Sequence, residues 1–570
     1  MKKNVLFYSS LILFIIGLMV IYRTLIPKEY VKQNQQYAIE TQEWYATKAY
    51  VINQKTIIAN IDSRQVKSTA NGIYMNEQMM LMIPLEQIKE NFDCAVHEYM
   101  DGHILIEKGN QTIKMYQGAT ECEINGTLKT LVNGVQIKDN KIYIPVDVLC
   151  NTFGYQYNFD VSLNQANIVS QNAEIRTIPY RYSYEETGRA PIVSNQGSLG
   201  TCWAFASLTS LASTLMPKEE FVFSVDHMSM NNSFNLGQLD GGDYTMAMAY
   251  LLSWQGPVLE SEDPYGDGET TEGLTAAKHV QEVQIIEAKD YETIKKMVFK
   301  YGGVQSSFYA SVLNKNTGNT KYYNPKTNSY CYIGDEKPNH DIVIIGWDDN
   351  YPKENFNVDV EGNGAFLCRN SWGADFGDNG DFYVSYYDTN IGVHNVVYTR
   401  VEDADNYDNI YQTDLCGFVG QLGYGEESAY FANAYTPQSD ELLKAVGFYA
   451  TGIDTEYSIY LCEDFKDVNS LSKRSDPIVT GTLKNSGYYT IDFETPISLP
   501  AGKKYAVIVR ITTPNSDRPV AVEYAYDKQT SNVVLEDGEG YVSLKGISWD
   551  NTESSNLCNV CLKVYTNTVG

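Results

Sequence analysis

The stretch Gln196-Gly197-Ser198-Leu199-Gly200-Thr201-Cys202-Trp203-Ala204-Phe205 restricts this chain more than any other. A single cysteine follows a glycine-bearing turn. Trp203, Ala206, Leu208, Leu211 and Leu215 then recur at roughly helical spacing, which predicts a helix from Trp203 to Met216. A thiol in the first turn of a helix faces unpaired N–H groups and the positive end of the helix dipole, both of which favour thiolate. Most free cysteines, however, are small buried hydrophobes. Cys202 is a nucleophile only if the chain also supplies a base, a group that orients it, and donors for an oxyanion.

Each of these is present. In Asn339-His340-Asp341-Ile342-Val343-Ile344-Ile345-Gly346-Trp347, His340 leads a continuous apolar run that predicts a buried strand. Asn370 ends a second predicted strand in Gly364-Ala365-Phe366-Leu367-Cys368-Arg369-Asn370-Ser371-Trp372-Gly373. An asparagine carbonyl accepting from a ring N–H fixes the tautomer and the ring angle without becoming charged. Trp372 is placed to cover that bond from water. Gln196 offers a side-chain amide that pairs with the Cys202 backbone N–H as oxyanion donors. Cys331 and Cys368 lie near these motifs but do not read as further nucleophiles, and Cys368, on the opposite side of its strand from Arg369, reads as core. Cys558-x-x-Cys561 is too isolated for a four-ligand zinc site and reads as packing or a local disulfide.

The assembled pattern resembles the papain-like cysteine peptidases. Asn195–Phe205 matches the nucleophile motif, Asn339-His340 through Trp347 the histidine motif, and Arg369–Gly373 the asparagine motif. Ile178–Tyr182 looks like the start of the mature domain. Asp240-Gly241-Gly242 looks like the paired glycines along which substrate backbone lies, and Gly256–Tyr265 resembles a further family stretch. The resemblance implies a two-lobed fold, helical lobe plus β lobe, over residues 173–402. It implies Cys202, His340, Asn370 and Gln196 as catalytic residues, Gly241, Gly242 and Trp372 as substrate-binding residues, and no metal or cofactor. The implied chemistry is an ion pair of Cys202 thiolate and His340 imidazolium that forms an acyl-enzyme from a peptide. Two departures stand out. The family's usual cysteine is Leu199 here, with no partner cysteine in 224–240. An acidic insert, Asp348–Glu361, separates the histidine and asparagine motifs and is expected to overhang or flank the cleft. A helical inhibitory propeptide is not recognisable.

At 570 residues the chain exceeds one core. Lys2 and Lys3 precede an apolar run from Val5 to Tyr22, ended by Arg23. Eighteen such residues make a helix of about 27 Å, close to bilayer thickness. Residues 1–23 are therefore expected to form a transmembrane signal anchor holding the rest outside the cell, with secretion after signal cleavage as the alternative. Residues 24–48, rich in Gln and Glu, read as a stalk. In 49–172 an internal repeat aligns Ile83–Phe92 with Ile144–Phe153, 61 positions later. Each copy has a strand, a proline and a short amphipathic helix. This α+β module resembles the N-terminal domain of copper amine oxidases, which implies no copper. His97 and His103, near Cys94, read as loop and strand residues.

Residues 405–568 alternate short strands and turns and predict an all-β sandwich. That domain resembles the lectin-like domain attached to some bacterial papain-like peptidases, through Gly538–Ser543 and Trp549, and the name implies a cell-surface glycan as partner. The fold class is thus multidomain α+β. A net charge of −28 repels phosphate backbones and argues against nucleic acid. The sequence supports a membrane-anchored extracellular endopeptidase acting on peptide or protein. A non-catalytic adhesin, or a cell-wall peptide amidase or transpeptidase using the same acyl-enzyme, are the other readings.

Overall fold

The computed structural model describes residues 57–569, apart from the short segments 63, 67–71, 77–79, 132–133, 161–164, 172–175, 312–320 and 536–537. The apolar run 5–22 and the stalk lie outside the described residues. Among the described residues no helix is long and apolar enough to cross a membrane.

In the N-terminal module the two repeat copies pair with each other. Leu81–Pro84 runs antiparallel to Lys141–Pro145, with Ile83 opposite Ile144. Each proline-ended strand then turns into a helix, Ile88–Asn91 through one 3-10 turn in the first copy and Val146–Phe153 in the second. A five-stranded meander spanning Ala95–Thr130 closes one apolar core over both copies. His103 Nδ1 meets Asp101 at 2.5 Å and His97 Nε2 lies 3.5 Å from Glu107, so the two rings occupy separate environments.

The middle of the chain has a helical lobe, α1 (Cys202–Leu215) and α2 (Tyr244–Leu252), followed by a sheet. Its strands are β1 (Lys278–Ile285), β2 (Val304–Phe308), β3 (His340–Asp348), β4 (Ala365–Arg369), β5 (Asp381–Ser385) and β6 (Asn395–Asp403), with helix α3 (Tyr291–Lys300) between β1 and β2. All five β4 residues are buried, and β3 is buried from Ile342 to Trp347, which explains the continuous apolar runs in the sequence. The spatial order is β5-β4-β3-β2-β6-β1.

The C-terminal region is β throughout except for a 3-10 turn (Val468–Lys473) and a five-residue helix (Thr552–Asn556) that period-2 patterning did not predict. Its main strands are β7 (Ser428–Tyr435), β8 (Glu441–Ala450), β9 (Thr455–Cys462), β10 (Ser486–Leu499), β11 (Tyr505–Thr512) and β12 (Leu562–Thr568). One sheet, β9-β11-β7, packs over a core of Phe431, Val446, Phe448, Val507 and Val509 against the other, β10-β8-β12. All ten cysteines are free thiols. Cys558 and Cys561 are buried singly rather than bridged.

The acidic insert is not at the cleft. It follows the far end of β3, and the eight steps from His340 to Asp348, at about 3.3 Å each, carry it roughly 26 Å from His340. There Tyr351, Phe356 and Val360 bury themselves against Cys331 and Ala365, and Asp349 accepts from Lys295 (3.2 Å) and Tyr386 (2.8 Å). Its acidic residues mislead, because three apolar side chains between them give the loop a small core of its own.

Candidate active site

Cys202 is the first residue of α1, one position earlier than the apolar spacing predicts. Gly197, at φ +63, makes the preceding turn, and Gly200 approaches the 238–241 loop so closely that a side chain there would meet the Gly241 backbone at 3.0 Å. Trp203 is buried beneath Gly242, where an added methyl would lie 2.6 Å from the indole nitrogen. Gly242 is therefore required by packing, whereas Gly241, at φ +82 with open space around it, is required by the backbone.

His340 begins β3 and is buried, with Nε2 2.8 Å from Asn370 Oδ1 at the end of β4. The pairing of β3 with β4 brings these residues together although 30 positions separate them. Asn370 Oδ1 also accepts from the Ser371 N–H at 2.8 Å, while its Nδ2 has no hydrogen-bond partner among the described residues. Two donors on the oxygen fix the amide, and the amide fixes the ring, leaving Nδ1 as the free nitrogen. Trp372 lies against the imidazole, with centroids 4.7 Å apart, and Phe376 backs it at 4.9 Å. Its half-buried ring lies over the histidine.

Gln196 is clamped on every side. Its N–H donates to the Ser371 carbonyl (2.8 Å), its Oε1 accepts from Ser371 Oγ (2.7 Å), and its carbonyl accepts from Tyr265 (2.9 Å). Nε2 donates to the Leu199 carbonyl at 2.9 Å, which occupies one of its two hydrogens and leaves the other for a ligand. Ser371 and Tyr265 escaped sequence reasoning as orienting residues. The Ser371 position inside Asn370-Ser371-Trp372 was the only signal.

The electrostatics differ from the expectation of a thiolate-favouring helix end. Backbone N–H groups of Cys202, Trp203 and Asp341 do favour the thiolate, but burial, aided by the Asp341 carboxylate, outweighs them and pushes the thiol up to about 11. Burial likewise holds His340 down to about 4, only partly offset by Asn370. Each group, taken by itself in the closed cleft, prefers its neutral form. Behind them Arg369 binds Asp381 through two bonds, Nε–Oδ1 at 2.9 Å and Nη2–Oδ2 at 2.8 Å, and also reaches Glu185 and the Pro191 carbonyl. This anchors the strand end that carries Asn370.

Three family profiles match successive parts of the chain: Papain family cysteine protease over 178–401, Lectin like domain over 410–566, and Copper amine oxidase N-terminal domain over 60–168. Residues 178–401 are a papain-family cysteine protease domain. Similar curated proteins are a viral cathepsin of Heliothis zea nuclear polyhedrosis virus, 25% identical over 245 residues, and ananain of Ananas comosus, 24% identical over 241. Each match covers 41% of this chain and, respectively, 60% and 65% of the relative. The chain thus spans less than two thirds of the length of these relatives.

Solved structures extend the likeness beyond the protease domain. The clostridial cysteine protease Cwp84 after propeptide cleavage superposes with a TM-score of 0.61 at 26% identity, covering 68% of this chain and 99% of that one. The cysteine protease and lectin-like domains of Cwp84, a surface layer associated protein of Clostridium difficile, give 0.61 at 25%, covering 69% and 90%. The papain-like peptidase with a lectin-like β domain is therefore one arrangement shared with these structures.

Proposed function

We propose that this chain is a membrane-anchored extracellular cysteine endopeptidase that hydrolyses peptide bonds through Cys202. The observation that carries the reading is the 2.8 Å bond from His340 Nε2 to Asn370 Oδ1, which leaves Nδ1 as the only ring nitrogen available to a thiol at the start of α1. A pure binder has no use for that arrangement. Substrate entering the cleft displaces water, and Cys202 Sγ attacks the peptide carbonyl as its proton passes to His340 Nδ1. The oxyanion is held by the Cys202 N–H and the second hydrogen of Gln196 Nε2. His340, now imidazolium, protonates the leaving amine. It then takes a proton from the water that hydrolyses the acyl-enzyme. The two neutral partners exchange a proton as charge develops, and the tetrahedral oxyanion, not the empty cleft, is what the donors are placed to stabilise.

The resemblance to a surface layer associated protease supports placing the domains at the cell surface, and the lectin-like profile supports a surface glycan as partner; the anchor rests on the apolar run 5–22 of the sequence. The deciding experiment is stoichiometric labelling by a thiol-directed epoxide, run beside hydrolysis of a peptide library. Cys202→Ala should abolish both. If that variant labels and cleaves as the parent does, the assignment of Cys202 is wrong. Removing residues 1–23 should move the protein from the membrane to the soluble fraction.

A further inference from the structure

The two oxyanion donors sit at opposite ends of one turn. Gln196 stands at its start, and the Cys202 N–H belongs to the peptide between Thr201 and Cys202 at its end. Nothing covalent holds that turn: position 199 is leucine, and all ten cysteines are free thiols. Gly197 and Gly200 lie within it and give it the most permissive backbone available. The bonds from Ser371 tie Gln196 to the strand end at Asn370 but leave its distance to Thr201 open. Stabilising a developing charge nevertheless requires donors that are fixed before the reaction starts.

One hydroxyl spans both ends. Tyr265 Oη lies 2.9 Å from the Gln196 carbonyl and 2.6 Å from Thr201 Oγ1. A carbonyl only accepts, so the single phenolic hydrogen goes to Gln196 and Thr201 donates to the Tyr265 oxygen. Each bond in such a chain polarises the next. Thr201 is fully buried, and its hydroxyl makes no bond to the helix it precedes. Its carbonyl accepts from the Ala204 and Phe205 N–H groups, both at 3.1 Å, so the peptide bearing the Cys202 N–H is held through side chain and oxygen alike.

Tyr265 is itself fixed. Its ring packs edge-on against Phe205 at 4.8 Å, and the N–H of the next residue, Gly266, donates to the fully buried Asp226 at 2.8 Å. Asp226 also accepts from the Gln238 side chain at 2.6 Å, and the Gln238 carbonyl takes the Gly200 N–H at 2.8 Å. The loop that carries Tyr265 is thus tied to the middle of the turn as well as to its ends.

We propose that Tyr265 is a positioning residue for the oxyanion site, a brace that sets the separation of Gln196 Nε2 and the Cys202 N–H, with Asp226 as its anchor. Its hydroxyl is committed to Thr201 and Gln196, and it acts through them. The proposal rests on the peptidase reading and adds to it the group that keeps the two donors in register.

The test separates oxyanion stabilisation from thiol reactivity, on the full chain. A peptide aldehyde adds the Cys202 thiol across its carbonyl: a carbon–sulfur bond forms, the carbon–oxygen π bond opens, and the proton ends on an oxygen lying in the oxyanion site. Iodoacetamide alkylates Cys202 with loss of iodide and a proton and forms no oxyanion. Tyr265→Phe keeps the ring and removes the hydroxyl. It should lower kcat by about 5–50-fold, less than outright loss of a donor, because Gln196 is misplaced and not removed. The aldehyde inhibition constant should weaken by a similar factor, while KM and the rate of Cys202 alkylation at fixed pH stay within about twofold. A purely structural role would move all four together.

Thr201→Val cuts the other end of the brace at nearly constant volume and should show the same pattern, whereas Thr201→Ser should restore the parent values. Because both substitutions break one bridge, the double variant should lose no more than the worse single one. It also removes the hydroxyl that Tyr265→Phe strands, so it carries the test where that variant folds poorly. Unchanged kcat and aldehyde binding, an alkylation rate that falls as far as kcat, or additive losses in the double variant overturn the proposal. A parent chain that neither cleaves the peptide library nor binds the aldehyde overturns the peptidase reading and the brace with it. A parent that does both, with aldehyde binding intact in Tyr265→Phe, overturns the brace alone.

Discussion

Asn370 Oδ1 accepts from two donors, the His340 ring and the Ser371 backbone, and so orients the imidazole through a group that is itself immobile. Asn370→Ala removes the acceptor but leaves Trp372 on the ring. The expected result is a fall in kcat of about 10–100-fold with little change in KM, because what is lost is ring orientation in the transition state. A change confined to KM would deny Asn370 that part. The pH dependence follows from the neutral pair. A thiol at about 11 above an imidazole at about 4 is uncharged at neutral pH, so iodoacetamide inactivation of the substrate-free protein should keep rising above pH 8. Removing the negative field with Asp341→Asn should shift that rise to lower pH. A plateau already reached at pH 5 to 6 would instead mark a standing thiolate–imidazolium pair.

The residues legible in sequence were those whose role follows from a local pattern: Cys202 at a helix start, and His340 and Asn370 at strand ends. Asp341 and Ser371 depend on cross-strand register, Ser307 opposite Asp341 and Gln196 beside Ser371, which no one-dimensional pattern carries.

At the scale of elements, the start of α1 is set by what packs on Trp203. Gly242→Ala would place a methyl 2.6 Å from the indole nitrogen and 2.8 Å from Met246 Sδ, so the helix start or the loop must shift. Overpacking of this kind costs about 1–3 kcal/mol, and because Trp203 follows Cys202 directly, the epoxide labelling rate should fall along with Tm. Gly241→Ala meets no neighbour and pays only for its positive φ, about 1–2 kcal/mol, so labelling should persist. Thermal unfolding together with labelling rates separates the two, and equal effects on labelling would refute the packing account. The sequence pairs these glycines but cannot tell their reasons apart. The acidic insert shows the opposite failure, since its charges imply solvent and cleft while Tyr351, Phe356 and Val360 tie it to the far end of β3.

At the scale of the whole molecule, the break in patterning near residue 402 suggests separable domains, but the hydrogen bonds run across it. β1 of the peptidase pairs on one edge with β6 and on the other with β10 of the lectin-like domain, Val283 lying opposite Tyr488. Gly487 at that crossing has φ +137, and a side chain there would strike the Val283 carbonyl. A single apolar cluster joins Trp203, Leu211, Val280 and Val283 to Tyr449, Tyr488 and Cys561. Below it Lys563 and Asp414 form a fully buried ion pair at 2.9 Å, with Gln412 on the lysine.

Two outcomes follow. Lys563→Met strands a buried carboxylate and should cost about 3–5 kcal/mol in urea unfolding. If the pair stabilised only the lectin-like domain, that loss would leave the peptidase transition in place. Because the sheet and the cluster are shared, residues 173–568 should instead unfold in one transition that Lys563→Met moves as a unit. A chain ending at residue 404 should unfold at a markedly lower temperature, its β1 edge open and Val280 and Val283 uncovered. Two resolved transitions, with epoxide labelling surviving the first, would mean that the shared strands are an interface between independent domains and not a common core.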